Sequence, residues 1–573
     1  MVRLTIDGKN VSVPEGTTIL EAAKEIGINI PTLCYLKDIN EISACRTCSV
    51  EVVGSKKLVA ACSTPVQEGM EVFTASQRVL EARVTNLTLI LSEHNTNCTF
   101  CGRSGNCTLQ TLAQEYDLRG VPYAHTPGKM NWNPNYPLIR GVSRCINCMR
   151  CVGICDKVQT MKVWDVSGTG ARTKVGVREG LDLMEAGCTL CGQCITHCPV
   201  GALSARSDTM SLVRHMGSEP DKVYVCQVAP AVRAAWGEDL GLTREQATVG
   251  RMVAALRTLG FDYVFDTDFS ADLTIMEEGS EFLERLSHKE DYRWPMFTSC
   301  CPGWLRFIKT EYPEYVPNLS TAKSPQQMFG AVTKSYFAEK IGVAPENIVC
   351  VSFMPCTAKK YERAVEAVND AAAQDVDMVL TTRELAKMIR RYRVDVNALH
   401  EEEFDDPLGE STGAGVIFGT TGGVMEAALR SAYYLAAGEN SRADAFRAVR
   451  GMDGVKTATF DIKGTKVRTA VAHGLGNARR LMEAIKAGQA EYDFVEVMAC
   501  PTGCAGGGGQ PIRDSQELGE VRGALLRKLD KEKPTRFFHE NASVQKLYTE
   551  YLEKPLSHRA HKLLHTDVSQ WKL

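Results

Sequence analysis

The sequence predicts an α/β protein of several domains, and three observations carry that reading. Its 573 residues exceed what one hydrophobic core supports and point to roughly three to five domains. Of its 22 cysteines, fifteen stand before residue 199, so the chain is chemically lopsided. Beyond residue 210, short apolar runs alternate with amphipathic stretches: Val223–Val228, Phe261–Phe265, Ile348–Phe353, Met378–Leu380, Val416–Phe418 and Phe494–Val497. That pattern is one of strands and helices in an α/β domain of two lobes.

Composition narrows the function classes. Hydrophobic residues make up 44% and charged residues 24% of the chain, a folded globular balance and not a disordered one. Sixty-six basic against 69 acidic residues leave a net charge of −3, which gives no basis for nucleic acid or anionic lipid as a partner. No apolar run reaches the roughly 18 to 20 residues of a membrane span. The opening MVRLTIDGKNVSV alternates like a strand and lacks the basic-then-apolar plan of a secretory signal. The expectation is a soluble, cytoplasmic protein. There a disulfide framework is disfavoured, and close Cys-x2-Cys spacings favour metal ligation because a short turn aims two thiolates at one centre.

Residues 1–76 form the first predicted domain. Val2, Leu4 and Ile6 alternate, Asp7-Gly8 supplies a hairpin turn, and Val11 and Val13 resume the alternation. Cys34, Cys45, Cys48 and Cys62 follow at a spacing suited to a [2Fe–2S] cluster. It resembles the plant-type ferredoxin pattern with a longer first interval, which implies a β-grasp ferredoxin-like domain. Residues 77–118 read as a small helical domain: Leu80, Val84, Leu87 and Leu91 make one apolar stripe over 77–93. That helix runs into His94, Cys98, Cys101 and Cys107. A lone histidine is usually structural, but one standing a turn before three cysteines that lack a fourth ligand reads as that ligand. Residues 119–143, with Pro122, Pro127, Pro134 and Pro137, read as an irregular linker.

Residues 144–209 hold Cys145, Cys148, Cys151 and Cys155, then Cys188, Cys191, Cys194 and Cys198 before Pro199. This is the run of bacterial two-cluster ferredoxins written twice, in which the fourth cysteine of each run serves the other cluster. The crossed assignment groups Cys198 with Cys145, Cys148 and Cys151, and Cys155 with Cys188, Cys191 and Cys194. Zinc would explain pairs of Cys-x2-Cys but not the doubled run. Fifteen cysteines and His94 thus supply sixteen ligands for one [2Fe–2S] and three [4Fe–4S] clusters, a relay for single electrons.

Residues 210–573 form the last domain. In open α/β sheets the site gathers beyond the carboxyl ends of strands, and three cysteine motifs stand at such places. They are Thr298-Ser299-Cys300-Cys301-Pro302-Gly303-Trp304, Met354-Pro355-Cys356-Thr357-Ala358-Lys359-Lys360 and Cys500-Pro501-Thr502-Gly503-Cys504-Ala505-Gly506-Gly507-Gly508-Gly509-Gln510-Pro511. On extended backbone Cys300 and Cys301 point different ways, so one can ligate a metal while the other carries a proton. Glu278, Glu281 and Arg285 share one helical face, which spacing alone reads as a solvated charged stripe. Cys226 and Cys350 lie inside apolar runs and read as small buried hydrophobes.

Together the three motifs resemble the signatures of [FeFe]-hydrogenases, and the preceding tandem is similar to the long clostridial-type members along essentially the whole chain. The resemblance implies the reaction 2H⁺ + 2e⁻ ⇌ H₂ at an H-cluster. Cys301, Cys356, Cys500 and Cys504 would hold its [4Fe–4S] part, with Cys504 bridging to a diiron unit that carries CO, cyanide and azadithiolate. Maturation proteins would build that unit. Cys300 would pass protons to and from the azadithiolate amine along a path through Glu278, Ser320, Glu281 and Arg285. Lys359 would donate to a cyanide ligand, Met354 and Met498 would pack against the diiron unit, and Gln326 would bond a diatomic ligand. Ala229 and Pro230 would lie at the same cofactor. The glycine run Gly506–Gly509 would let backbone approach the cluster; the GxxxxGK[ST] of a phosphate loop is absent.

Two departures from many single-chain relatives stand out. The third motif reads CPTGCAGGGGQP where those have CHGGCVNGGGQP, and Ala229-Pro230-Ala231 carries alanine where they often place a cyanide-bonding serine. With the ending Leu556–His565, these features look more like the hydrogenase subunit of multimeric NAD(P)-linked enzymes, some of which bifurcate electrons. The partners this implies are ferredoxin, NAD(P)-linked flavin iron–sulfur subunits, or both. His558, His561 and His565 read as a docking or packing surface and not as a metal site. The alternatives are a single-chain ferredoxin-dependent hydrogenase and, from the first 210 residues, an electron-relay subunit of an NADH dehydrogenase. The five C-terminal motif cysteines argue against the relay.

Overall fold

The computed structural model describes residues 1–123, 131–442, 444–451, 454–462, 464–513 and 518–572. Part of the predicted linker, residues 124–130 with Pro127, lies outside the described residues. The chain divides into two compact units. Met1–Val158, Lys162–Asp182 and His197–Ser204 form the first, and Gln159–Met161, Leu183–Thr196 and Ala205–Leu573 the second. The segment 144–209 is therefore shared between them.

The first unit begins with a five-stranded sheet. Strand β1 (Val2–Ile6) pairs antiparallel with β2 (Lys9–Val13) across Asp7 and Gly8, both at positive φ as a tight hairpin demands. Helix α1 (Ile19–Glu25) starts at Thr18, whose hydroxyl accepts from the Glu21 amide. With β3 (Ser49–Val52), β4 (Val59–Ala60) and β5 (Met70–Phe73) the strand order is β2-β1-β5-β3-β4. Helix α2 (Gln77–Glu93) follows, but its buried face is not the predicted stripe. Val79, Arg83, Leu87 and Leu91 are buried, whereas Leu80 is 40% and Val84 37% exposed. The rotation is set by Arg83, whose guanidinium donates to the Ser49 carbonyl (3.0 Å) and the Tyr116 hydroxyl (3.2 Å). A buried cation must satisfy its donors, and that outweighs two half-exposed aliphatic side chains.

The second unit is built on two sheets. In one, β6 (Val223–Val228), β7 (Tyr263–Asp266), β9 (Ile348–Met354) and β10 (Met378–Thr381) run parallel in the order β7-β6-β9-β10. In the other, β8 (Met296–Phe297), β13 (Phe494–Met498) and β12 (Thr465–His473) run parallel in the order β8-β13-β12, and β11 (Val455–Ile462) closes the edge antiparallel to β12. The β11–β12 hairpin was not foreseen from the sequence. The predicted strand at Val416–Phe418 is instead the end of a helix, α6 (Gly413–Ile417), capped by the Thr412 hydroxyl. A three-residue apolar run has no readable period, and here it is buried on every side.

Helix α3 (Thr267–Ser287) packs against α5 (Pro325–Val332), α6 and α7 (Gly423–Ala437). That packing buries the face carrying Glu278, Glu281 and Arg285, so the solvated-stripe reading of these three is overturned. On α7, Arg430 is fully buried between Glu426 (2.6 Å) and Asp530 (3.2 Å) of α8 (Gly519–Glu532). Removing one partner of a buried ion pair costs about 3–5 kcal/mol. Arg450 and Arg536 also face these carboxylates, so Arg430→Met is expected near the lower end, about 3 kcal/mol. It should appear as a lower thermal midpoint of the second unit; an unchanged midpoint would show that the cluster does not hold α7 to α8.

Candidate active site

The carboxyl ends of β6, β8, β9 and β13 each run directly into a motif. Val228 leads to Ala229-Pro230, Phe297 to the Cys300-Cys301 loop, Met354 to Pro355-Cys356, and Met498 to Ala499-Cys500. Cys301 caps helix α4 (Pro302–Glu311), where Pro302 suits the first turn because its missing amide would be unpaired there. These ends enclose a cavity of about 80 Å³. Its wall brings together Cys300, Cys301, Cys356 and Cys504 with the predicted Ala229, Pro230, Gln326, Met354, Lys359 and Met498. Cys500 is not on that wall; it sits behind it, near Cys356, Cys301 and Cys504, with its thiol directed at the Cys191 carbonyl (3.8 Å).

Burial pushes all four of Cys301, Cys356, Cys500 and Cys504 upward, so as free thiols they keep their protons. A metal centre deprotonates a coordinating thiol outright, and four converging thiols, Cys500 buried and the other three partly buried, beside one lysine suit an iron–sulfur cubane. No group of three or more His, Cys, Asp or Glu side chains among the described residues closes on a single ion. A cubane does not ask for that, since each iron takes its own thiolate. Gln326 Oε1 is buried on the cavity wall without a hydrogen-bond partner, while its Nε2 donates to Gln327 Oε1 (3.0 Å) and Glu362 Oε2 (3.2 Å). Lys359 Nζ donates to the Cys300 carbonyl (3.1 Å) and to Glu362 Oε2 (2.8 Å). Burial opposes the Lys359 charge, but the Glu362 carboxylate outweighs it and raises the lysine.

Glu362 was missed in the sequence reading, although Lys359 and Glu362 stand three apart in a helical turn, the spacing of a same-face ion pair. Arg383 was missed too: its guanidinium donates to the carbonyls of Gly508 (2.6 Å) and Gln510, clamping the glycine run. That run approaches the backbone of neighbouring loops. A Cβ on Gly507 would lie 2.2 Å from the Pro355 oxygen, and one on Gly508 2.4 Å from the Cys191 oxygen. The glycines are needed where three motif loops meet backbone to backbone.

Behind the cavity the predicted proton carriers form a buried row. Burial, then the Glu278 carboxylate, pushes the Cys300 thiol well above its ordinary value. Glu278 is fully buried; burial first and Glu281 second push it up to about 8. Neither of its oxygens closes a hydrogen bond, although the Ser320 hydroxyl and the Ser299 amide lie close enough to ease its ionisation. Ser320 Oγ instead donates to Glu281 Oε2 (2.9 Å), and Glu281 also accepts from the Thr321 amide (3.1 Å) and from Arg285. Arg285 lines an open pocket with Ser320 and Thr321.

In the first unit, Cys34 faces Cys45 and Cys48 faces Cys62, each pair near enough to share a proton. The Thr47 hydroxyl lies 3.1 Å from Cys45 Sγ, and that of Ser43 3.4 Å from Cys62 Sγ. His94, Cys98 and Cys107 line one cavity; Cys101 does not, and its sulfur lies against Gly201 instead. Cys145, Cys151 and Cys198 are drawn together around the buried Arg140 guanidinium, and Cys148 also feels Cys198. In the second unit, Cys188 stands beside Cys191. Cys155 belongs to the first unit and Cys188, Cys191 and Cys194 to the second. Cys226 and Cys350 are buried in β6 and β9.

Parallel sheets converging on buried thiols, with further thiol sets ahead of them, define an iron–sulfur oxidoreductase. The model of the iron-only hydrogenase large subunit, C-terminal domain, matches residues 222–508, and that of the iron hydrogenase small subunit matches 516–569. Models of a 2Fe-2S cluster binding domain, the NADH-ubiquinone oxidoreductase-G iron–sulfur binding region and a 4Fe-4S dicluster domain match 1–77, 83–122 and 144–202. The chain is 49% identical to an NADP-reducing hydrogenase subunit of Solidesulfovibrio fructosivorans, over 99% of this chain and 98% of that one. It is 38% identical to iron hydrogenase 1 of Clostridium pasteurianum over 99% of each. An apo [FeFe]-hydrogenase structure from Chlamydomonas reinhardtii superimposes with a TM-score of 0.57 at 43% identity, covering 63% of this chain and 98% of that chain. The chain belongs to the iron-only, or [FeFe]-, hydrogenase family and is an iron hydrogenase. Among the described residues no helix is long and apolar enough to cross a membrane.

The buried Glu278 gives a direct test. A protonated-carboxyl infrared band should be present at neutral pH and disappear as pH rises through about 8. It should be missing from Glu278→Gln at every pH. A band lost near the ordinary glutamate range instead would mean that Glu278 is solvated.

Proposed function

We propose that the chain is the hydrogen-converting subunit of an NAD(P)-linked complex, working on protons and H₂ at the cavity behind Cys300. In this reading Cys301, Cys356, Cys500 and Cys504 would hold a [4Fe–4S] subcluster, with Cys504 also serving a diiron unit. When bound, that unit supplies the centre at which protons and electrons combine to H₂ or H₂ is split. Lys359, Gln326, Met354, Met498, Ala229 and Pro230 shape the rest of the pocket. The observation that carries the reading is the row from the cavity wall to an open pocket, Cys300, Glu278, Ser320, Glu281 and Arg285, hydrogen-bonded from Ser320 outward and carrying the unbonded Glu278 carboxyl at its inner end.

Each residue of that row has a separate task. The Cys300 thiol holds a proton at the cavity because burial disfavours its thiolate. Glu278, raised to about 8, takes and returns a proton at neutral pH. Ser320 both donates and accepts, so its hydroxyl can hand a proton between Glu278 and Glu281. Arg285 donates to Glu281 and positions it.

Four relay centres bring the electrons in this reading. Cys34, Cys45, Cys48 and Cys62 hold a [2Fe–2S] cluster in a β-grasp ferredoxin-like domain (1–76). His94, Cys98, Cys101 and Cys107 hold a [4Fe–4S] cluster in a small helical domain (77–118). The doubled run of 144–209 holds two more in the crossed assignment, and residues 210–573 form the catalytic domain. Similarity to an NADP-reducing hydrogenase subunit supports an NADP-linked complex; in this reading its partners are flavin iron–sulfur subunits, ferredoxin or both, in the cytoplasm. Cys300→Ala in the matured enzyme should lower H₂ evolution by at least about 10²-fold while iron content and cluster spectra stay unchanged. Loss of the cluster spectra would make Cys300 structural, and full activity would remove it from the path.

A further inference from the structure

Arg285 leaves the row incomplete at its outer end, because a guanidinium does not give up its proton near neutral pH. The pocket beyond it holds two imidazoles, the side chains that can both take and give a proton. Helix α9 (His558–Leu564) presents His561 at the surface, and His565 follows at its C-terminal cap. Both imidazoles line the same pocket as Arg285, Ser320 and Thr321. Their ring centroids are 4.4 Å apart. His561 is exposed, whereas His565 is only 6% exposed, so the pair steps from solvent to interior.

The inner imidazole is held from both sides. Its Nδ1 lies 2.8 Å from Thr321 Oγ1, and its Nε2 lies 3.1 Å from Glu277 Oε2. Thr321 is the residue whose amide donates to Glu281. Backbone bonds from Lys323 to Leu564 (2.8 Å) and from Thr566 to Thr321 (2.8 Å) pin the two segments together. Of the docking or packing surface expected for the three histidines, His565 takes the packing part, while His558 and His561 stay exposed.

We propose that His561 and His565 form the proton-collecting mouth of the enzyme, passing protons between solvent and Glu281 across the pocket they share with Arg285. The inference rests on the Cys300–Glu281 row proposed above. Each transfer moves one proton: His561 takes it from water, His565 receives it, and Glu281 accepts it through pocket water, leaving both imidazoles neutral. The charged groups around the pair fit this use. Glu277, Glu281 and Glu284 of α3 favour the protonated form of His561, while burial and the neighbouring His565 oppose it. Arg285 and Asp567 complete the charged lining of the pocket. Tyr548 is bonded to Glu277, and Lys309 of α4 to the Val568 carbonyl (2.7 Å).

The test compares matured His561→Gln, His565→Gln and Glu281→Gln enzymes by H₂ evolution from saturating reductant, between about pH 6 and pH 8.5. His561 is exposed, so its variant folds whatever becomes of His565→Gln. His561→Gln is expected to match the parent at the acid end, where hydronium suffices, and to fall roughly three- to tenfold behind at the alkaline end. Added imidazole should restore the rate saturably, which a merely structural defect would not show. Full activity of His561→Gln and His565→Gln at every pH, with Glu281→Gln inactive, would overturn the mouth and leave the row standing. An active Glu281→Gln would overturn the row itself.

Discussion

Burial of ionisable groups is the constraint on which this enzyme depends. Five thiols, a lysine and Glu278 are gathered where strands of two sheets end, away from water. There a charge survives only with a partner. Lys359 has Glu362, Glu281 has Arg285, and Glu278 has none, so it keeps its proton. The same burial keeps the thiols of Cys301, Cys356, Cys500 and Cys504 protonated. One physical effect thus prepares both the proposed cluster site and the proposed proton row.

Rigidity of the site comes from loops meeting at distances that admit no side chain. Gly507 and Gly509 lie on Pro355, and Gly508 lies on Cys191 and Gly192. The Thr357 hydroxyl bonds the Leu190 carbonyl at 2.6 Å, and Arg306 bonds that of Cys188 at 2.8 Å. The second motif, the third motif and the loop of Cys188–Cys194 are therefore one backbone assembly. In it the Cys500 thiol bonds the Cys191 carbonyl, so a proposed relay cysteine and a proposed active-site cysteine touch directly.

Much of this was legible in the sequence, for identifiable reasons. Strands β6, β9 and β13 are apolar runs broken only at Gln227, Ser352 and Glu496, the pattern of buried parallel strands, and each motif follows its strand at once. The cysteine spacings carried the family resemblance. What escaped lacks a local signal. The Val416–Phe418 run is too short to show a period, the face of α2 is decided by Arg83 reaching Ser49, and β11–β12 is a half-exposed hairpin with weak alternation. The burial of Glu278 and Glu281 depends on α5, α6 and α7, which no spacing within α3 reports. His565 likewise finds its partners more than two hundred residues away, at Thr321 and Glu277.

The central claim is that the cavity behind Cys300 holds a diiron centre served by that row. Infrared spectra of the chain, matured and purified without oxygen, test it most directly. Iron-bound CO and cyanide bands that shift under H₂ are the predicted result. Their absence from protein fully loaded with iron, in the presence of working maturation proteins, would contradict the account and leave an iron–sulfur electron relay.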